Sequence, residues 1–366
     1  MARPPFTRVL EALPKSVPFV APEALERRVG HPLPVRLGAN ESMFGISPVA
    51  QRAMEEAVSR LYCYGDPESF ELRHAIAKRH RVPFENVSIG AGIDDLLALA
   101  VRSFIEPGGP ILTSLGGYPT FTYFAEGYGA AIARVPYKND RCDLEGLLAK
   151  AHETRARLVY LANPDNPSGT WHSAADVVRF AEALPEGSTL ILDEAYADFA
   201  PADAIPALDA DHPRVIRMLT FSKVWGLAGA RVGYAIAARE TVEAWDKIRA
   251  HFGVNLVAQV GALASLGDPA FADGVVASVK EGREDYARIA REAGFRALPS
   301  ATNFVTMDVG SFERAKSLVE KLLARDVFIR MPGAPPLSSC IRVSVGRTEQ
   351  RAAFEAALKT ILIAGG

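Results

Sequence analysis

The chain reads as an α/β protein, a mainly parallel sheet between helices followed by a smaller α+β unit. Three observations lead there. The runs LVYLAN (158–163), TLILD (189–193), VIRMLTF (215–221) and VGYAIA (232–237) are short, apolar and partly β-branched, the composition of strands buried on both faces. Helical stretches such as Ala174–Ala183 lie between them, and this alternation is what a helix-covered parallel sheet requires. Near the end, TNFVTMDV and CIRVSVG read as strands, each followed by a helical stretch, 312–325 and 348–362.

The remaining elements follow in order. The segment to Leu37 is rich in proline and reads as an arm with a short helix. From Ile46 to Arg81 the pattern is helical, broken at YCYGDPES. SIGAGIDD (88–95) runs from a short strand into a helix beginning near Ile93. Thr241 to Arg291 reads as long helices with no strong breaker before Gly294. The expected division is an arm over 1–37, a large domain over 38–260 and a small domain over 261–366, with the arm able to pack on the small domain.

Bulk properties narrow the function. The 366 residues are 49% hydrophobic and 23% charged, as in an ordinary globular protein. A formal net charge of −2 and a pI near 6.4 give no reason to expect nucleic acid or an anionic membrane as partner. Cys63, Cys142 and Cys340 are odd in number and far apart, which suggests neither a disulfide framework nor a metal site. Prolines interrupt the first twenty residues, so no secretory leader is expected, nor a membrane span. The sequence reads as a cytoplasmic protein.

Four features fall at strand ends, where open parallel sheets build sites. The turn GAGIDD opens a helix, whose free N–H groups suit an anion. It lacks the third glycine of a dinucleotide fingerprint, because Asp95 stands there. In LANPDNPSG, Pro164 and Pro167 stop the strand and leave Asn163, Asp165 and Asn166 at its end, where an asparagine is a good neutral donor. TLILDEAY puts Asp193 at the end of a buried strand, where a carboxylate is costly without a cationic partner. TFSKVWGLAGARVGY sets Ser222, Lys223 and Arg231 around small and apolar residues. Taken singly, each has an ordinary explanation: a helix start, a turn, a helix cap, a solvated lysine. Together they suit one ligand, an aromatic ring bearing an aldehyde, a phenolate, a basic nitrogen and a phosphate. That is pyridoxal phosphate, with Lys223 as its Schiff-base partner.

At this point the sequence resembles the fold-type-I pyridoxal-phosphate-dependent aminotransferases, and within them the histidinol-phosphate aminotransferase branch. The motifs that carry the resemblance run from LGANESMFG (37–45) through YGDPESFELRHAIA, GAGIDDLLALAVRSFIEPG, YPTFTYFA, ANPDNPSG, LDEAYADF and FSKVWGLAGARVGY to CIRVSVG (340–346). The resemblance implies that Lys223 carries the cofactor and shuttles the proton, and that Asp193 keeps the ring nitrogen protonated. It implies that Tyr196 and Asn166 bond the ring's 3-oxygen, and that Phe121 stacks on the ring. It gives the phosphate to Gly92, Ile93 and Asp94 with Ser222 and Arg231. Tyr64 would reach it from the neighbouring subunit, so a homodimer is implied. Arg342 and Arg330 would bind the substrate's anionic groups, with Asn40 nearby.

The sequence departs from the family at three places. Asn-Glu-Asn-Pro is Asn40-Glu41-Ser42-Met43, Tyr-Pro-Asp is Tyr64-Gly65-Asp66, and Phe19 stands where the branch often has a substrate-touching tyrosine. These changes bear on the amino donor. The expected pair is L-histidinol phosphate with 2-oxoglutarate. The alternatives are an aromatic or broad-range amino acid aminotransferase and a pyridoxal-phosphate-dependent decarboxylase acting on an amino acid phosphate.

Overall fold

The structure, a computed structural model, describes residues 3–15 and 20–364. Among them twelve strands fall into three sheets. In chain order they are β1 (Val35–Arg36), β2 (Val87–Gly90), β3 (Pro110–Ser114), β4 (Ala131–Val135), β5 (Leu158–Ala162) and β6 (Thr189–Asp193). Then come β7 (Val215–Thr220), β8 (Gly233–Ile236), β9 (Arg296–Ala297), β10 (Phe304–Asp308), β11 (Val327–Phe328) and β12 (Cys340–Ser344).

The large sheet has seven strands in the order β2-β8-β7-β6-β5-β3-β4. Every pairing from β7 to β4 is parallel, and β8 alone runs against both its neighbours. The link from β7 to β8 contains only one 3-10 turn, Ala228–Ala230, too little for the helical crossover that a parallel return needs. β5 and β6 are buried along their whole length, as two-sided helix cover demands. In register, Ala162 stands beside Asp193 and Asp193 beside Met218, so the carboxyl ends of β5, β6 and β7 form one ledge.

The smaller sheets use the late strands together with β1. β12-β10-β9 is antiparallel, and β1 pairs in parallel with β11, placing Val35 beside Val327. The arm carries two short helices, Arg8–Ala12 and Pro22–Val29, rather than one. Asp308 at the end of β10 and Arg296 on β9 are joined by an ion pair. The stretch expected to hold long helices holds three, Arg239–Asp246, Leu256–Leu266 and Pro269–Glu292. Asn255 and Asp268 cap the second and third by accepting from Ala258 N and Phe271 N. β3 and β4 carry no clear signal in the sequence. β4 is an edge strand with Ala131 and Arg134 exposed, and the arginine interrupts its apolar run.

One glycine ties the site loop to the first strand's extension. Gly226 has φ of +71°, and a Cβ there would stand 1.9 Å from the carbonyl oxygen of Gly45. The loop after Lys223 therefore rests directly on the segment carrying Asn40 to Ile46. No helix among the described residues is long and apolar enough to cross a membrane.

Candidate active site

A cavity of about 350 Å³ opens over the carboxyl ends of β5, β6 and β7. Of the residues singled out in the sequence, Asn40, Ile93, Asp94, Asn166, Asp193, Tyr196, Ser222, Lys223, Arg231, Arg330 and Arg342 line it. They come from segments up to about 300 residues apart, and the sheet gathers them on one ledge.

Lys223 follows β7 by three residues, and its Nζ donates to the Asn40 carbonyl at 3.1 Å. Asn40 has φ of +55°. Its amide nitrogen donates to the Tyr196 hydroxyl at 3.0 Å, and its Oδ1 accepts from Ser344 Oγ at 3.2 Å. Asn303, just before β10, donates to the same Asn40 carbonyl at 3.1 Å. Asn40 thus ties the lysine, the tyrosine and Asn303 together.

Asp193 ends β6. Its Oδ1 accepts from Ala195 N at 2.9 Å and its Oδ2 from the Tyr160 hydroxyl at 2.6 Å. Its neighbour Glu194 pairs with Arg217, but Asp193 has no ion-pair partner among the described residues. Burial pushes its carboxyl up to about 6, against the pull of those two hydrogen bonds. A buried carboxylate with an open side and no cation fits a protonated ring nitrogen.

At the other end of the ledge, Gly92 precedes the helix Ile93–Phe104 with φ of +84° and supplies no capping side chain. The first N–H groups of that helix are left for an anion. The positive φ favours glycine here, and a Cβ on Gly92 would stand 2.6 Å from the Arg231 guanidinium that lies over the turn. Arg231 also approaches Asp94 Oδ2 at 3.4 Å. Ser222 is buried and accepts from Thr220 Oγ1 at 2.9 Å. Together these form a cradle suited to a phosphate, and pyridoxal phosphate's ring, nitrogen, aldehyde and phosphate all find a counterpart here.

The arginines stand on the opposite wall. Arg342 donates to Asn166 Oδ1 at 2.6 Å and to the Gly38 carbonyl at 3.3 Å. Its Nε is buried without a partner, and the guanidinium has no carboxylate ion pair among the described residues. Burial pulls it down to about 10. Arg330 pairs by backbone with Arg342, and its guanidinium donates to the Val20 carbonyl of the arm at 2.7 Å.

Three expectations need correction or restriction. Phe121 does not face the cavity: it is fully buried and stacked on Tyr160 at 4.8 Å between ring centres. Its place one turn inside the helix Pro119–Gly127 points it at the core. The aromatic at the cavity wall is Tyr118, which caps that helix and donates to Asp94 Oδ1 at 2.9 Å. Tyr64 lies outside this chain's own cavity, 81% exposed and against Phe252 at 4.6 Å. Phe19 falls outside the described residues. Reading the sequence also missed Tyr160 and Asn303. Tyr160 sits mid-strand in an apolar run, where only the pleat tells which way it points.

Comparison with known proteins agrees with this geometry. The family model for aminotransferase class I and II matches residues 34–358. A histidinol-phosphate aminotransferase from Anaeromyxobacter sp. (strain Fw109-5) is 37% identical, over 94% of this chain and 96% of its own. One from Moorella thermoacetica is 34% identical, over 94% and 90%. The crystal structure of histidinol-phosphate aminotransferase from Sinorhizobium meliloti, in complex with pyridoxal-5'-phosphate, superposes with a TM-score of 0.96 at 45% identity. It covers 100% of this chain and 99% of its own. The chain belongs to the class I and II aminotransferases.

Proposed function

We propose that this chain is a pyridoxal-phosphate-dependent transaminase that moves the amino group of L-histidinol phosphate to 2-oxoglutarate. The products are imidazole-acetol phosphate and L-glutamate, formed in two half-reactions. The observation that carries this is the single cavity holding a lysine amine, an unpaired buried carboxylate and an anion cradle opposite two arginines. The names of the similar proteins support the substrate.

Pyridoxal phosphate bound here supplies an aldehyde that joins amines covalently and a ring that accepts the electrons of the bond broken at carbon. The chain's own groups do the rest. Arg231, Ser222 and the helix start at Ile93 and Asp94 hold the phosphate. Asn166 and Tyr196 hold the 3-oxygen, and Tyr118 takes the ring-covering place expected of Phe121. Lys223 Nζ takes the proton from the substrate carbon that bears the nitrogen and returns it to the cofactor carbon. Asp193 holds the proton at the ring nitrogen.

Two arginines suit a pair of substrates that are both strongly anionic. Histidinol phosphate brings a phosphate monoester, and 2-oxoglutarate brings two carboxylates. An aromatic amino acid would use one of them. A decarboxylase would release carbon dioxide and need no oxo-acid.

The proposed assembly is a homodimer in which Tyr64 reaches the partner's phosphate. Its support is the exposed set Leu61, Tyr62, Tyr64 and Phe252, 54%, 87%, 81% and 53% accessible, on one chain. The proposed setting is the cytoplasm, in keeping with three unpaired cysteines. Mixing Tyr64→Ala with Lys223→Ala protein tests the shared site. Hybrid dimers with one intact site regain activity, whereas no recovery contradicts the sharing.

A further inference from the structure

One residue of the cavity wall that the sequence did not single out acts on Asp193. Tyr160 is 2% exposed and projects from β5, the strand next to the one that carries Asp193. In register Tyr160 stands beside Ile191, two residues before Asp193, so its phenol reaches along the sheet to the carboxylate. The bond is short, 2.6 Å from Oη to Oδ2, as expected of a phenol donating to an ionised oxygen. Phe121 stacks on the Tyr160 ring at 4.8 Å and 17° between planes, which covers one face of the ring and holds it in place. Burial and the adjacent charge raise the Tyr160 phenol well above its usual range, so it remains a donor.

We propose that Tyr160 is a positioning residue that keeps the Asp193 carboxylate ionised and aimed, so that the proton shared with the cofactor's ring nitrogen stays on the ring. The inference rests on the proposal that Asp193 meets that nitrogen. The physical need is specific to this site. Asp193 is buried without an ion-pair partner, so a carboxylate left to itself would draw the shared proton toward its own oxygen. Ala195 N supplies one hydrogen bond to the ionised form and Tyr160 the other. Asp94 opposes ionisation through its charge and Lys223 favours it, and neither touches Asp193 directly. Tyr160 is therefore the only side chain among the described residues that hydrogen-bonds Asp193, and through it the site sets where the proton rests.

The test uses holoenzyme reconstituted with pyridoxal phosphate labelled with nitrogen-15 in the ring, read by NMR. Tyr160→Phe keeps the ring against Phe121 and removes only the hydroxyl. The expected result is a ring-nitrogen signal shifted toward the neutral pyridine and a kcat lower by about tenfold with KM within about twofold, since a hydrogen bond to a charged group accounts for roughly that factor. Unchanged signal and kcat would overturn the proposal and leave Tyr160 as packing. Asp193→Asn, measured alongside, separates the two readings. If it leaves the nitrogen signal unchanged, the pairing of Asp193 with the ring is what fails. If it shifts the signal while Tyr160→Phe does not, only the role of Tyr160 fails. A second measurement stays informative should Tyr160→Phe bind cofactor poorly. In the apoprotein, carbon-13 titration of Asp193 moves upward in Tyr160→Phe. It moves downward when Tyr160 is replaced by the more acidic 3-fluorotyrosine, with Asp94 and Lys223 unaltered. Identical titration in all three proteins contradicts the proposal.

Discussion

The two ends of the cavity are built differently. The cofactor end is assembled from strand ends and the turns that directly follow them: Asp193 on β6, Lys223 just past β7, and the Gly92 turn between β2 and its helix. The substrate end is assembled across the molecule. Arg342 comes from the small sheet and reaches Asn166, 176 residues earlier, while Arg330 reaches the arm at Val20. The first end is held by the sheet's own register. The second is held by side-chain and backbone bonds between separate parts of the chain, and these can be altered without touching the sheet. On the proposed reading, cofactor chemistry sits on the sheet ends and substrate choice on the bonds between separate segments.

Substitutions can break that contrast. The largest effect falls at the cofactor end. Lys223→Ala removes both the covalent partner and the proton carrier, and turnover should fall by about ten-thousandfold while the fold survives. Borohydride should no longer fix cofactor to the variant, and fixation would contradict the assignment. Arg342→Lys comes next, at the substrate end. It keeps charge but leaves the Asn166 oxygen and Gly38 carbonyl short of donors, so kcat/KM should fall by about a hundredfold. Cofactor affinity should hold, and its loss in step with kcat/KM would mean the two ends are not separable.

Tyr118 and Phe121 sharpen the comparison within one helix. Tyr118→Ala should weaken cofactor binding about tenfold by uncovering the ring. Phe121→Leu should cost about 1 kcal/mol of stability and leave cofactor affinity nearly unchanged. Equilibrium dialysis and thermal melts distinguish them, and a reversed order would restore Phe121 to the ring.

The smallest effect is on stability against pH in the apoprotein. Asp193 titrates near 6 in the folded chain, above its ordinary value of 3.8, so the folded state holds the extra proton between those values. Its contribution to stability therefore falls as pH rises from about 4 to about 6. Asp198, also raised to about 6 by burial, acts in the same direction, so the slope must be read by difference. Asp193→Asn should gain stability relative to the parent across that window. Parallel melting curves would show that Asp193 is not strained by burial.

The same contrast governs what could be read from sequence. Asp193, Lys223, Asn166 and the Gly92 turn were legible because each lies in a short motif at a strand end, where apolar run and polar residue stand side by side. Tyr160 was not, because its role depends on which way one residue of a fully apolar strand points. Phe121 was misplaced by one helical turn, a distinction that needs the start of the helix to be known. Asn303 was invisible because its partner, the Asn40 carbonyl, lies 263 residues away. β4 escaped for a related reason: an edge strand is set by its neighbour more than by its own composition.

The central claim is that this site accepts histidinol phosphate as amino donor. The direct measurement is single-turnover absorbance of the cofactor-loaded protein mixed, without oxo-acid, with histidinol phosphate, phenylalanine, tyrosine, histidine or phosphothreonine. The claim predicts that the lysine-bound cofactor band converts to pyridoxamine phosphate fastest with histidinol phosphate. Conversion by the aromatic amino acids alone, or carbon dioxide release from phosphothreonine without pyridoxamine phosphate, would contradict it.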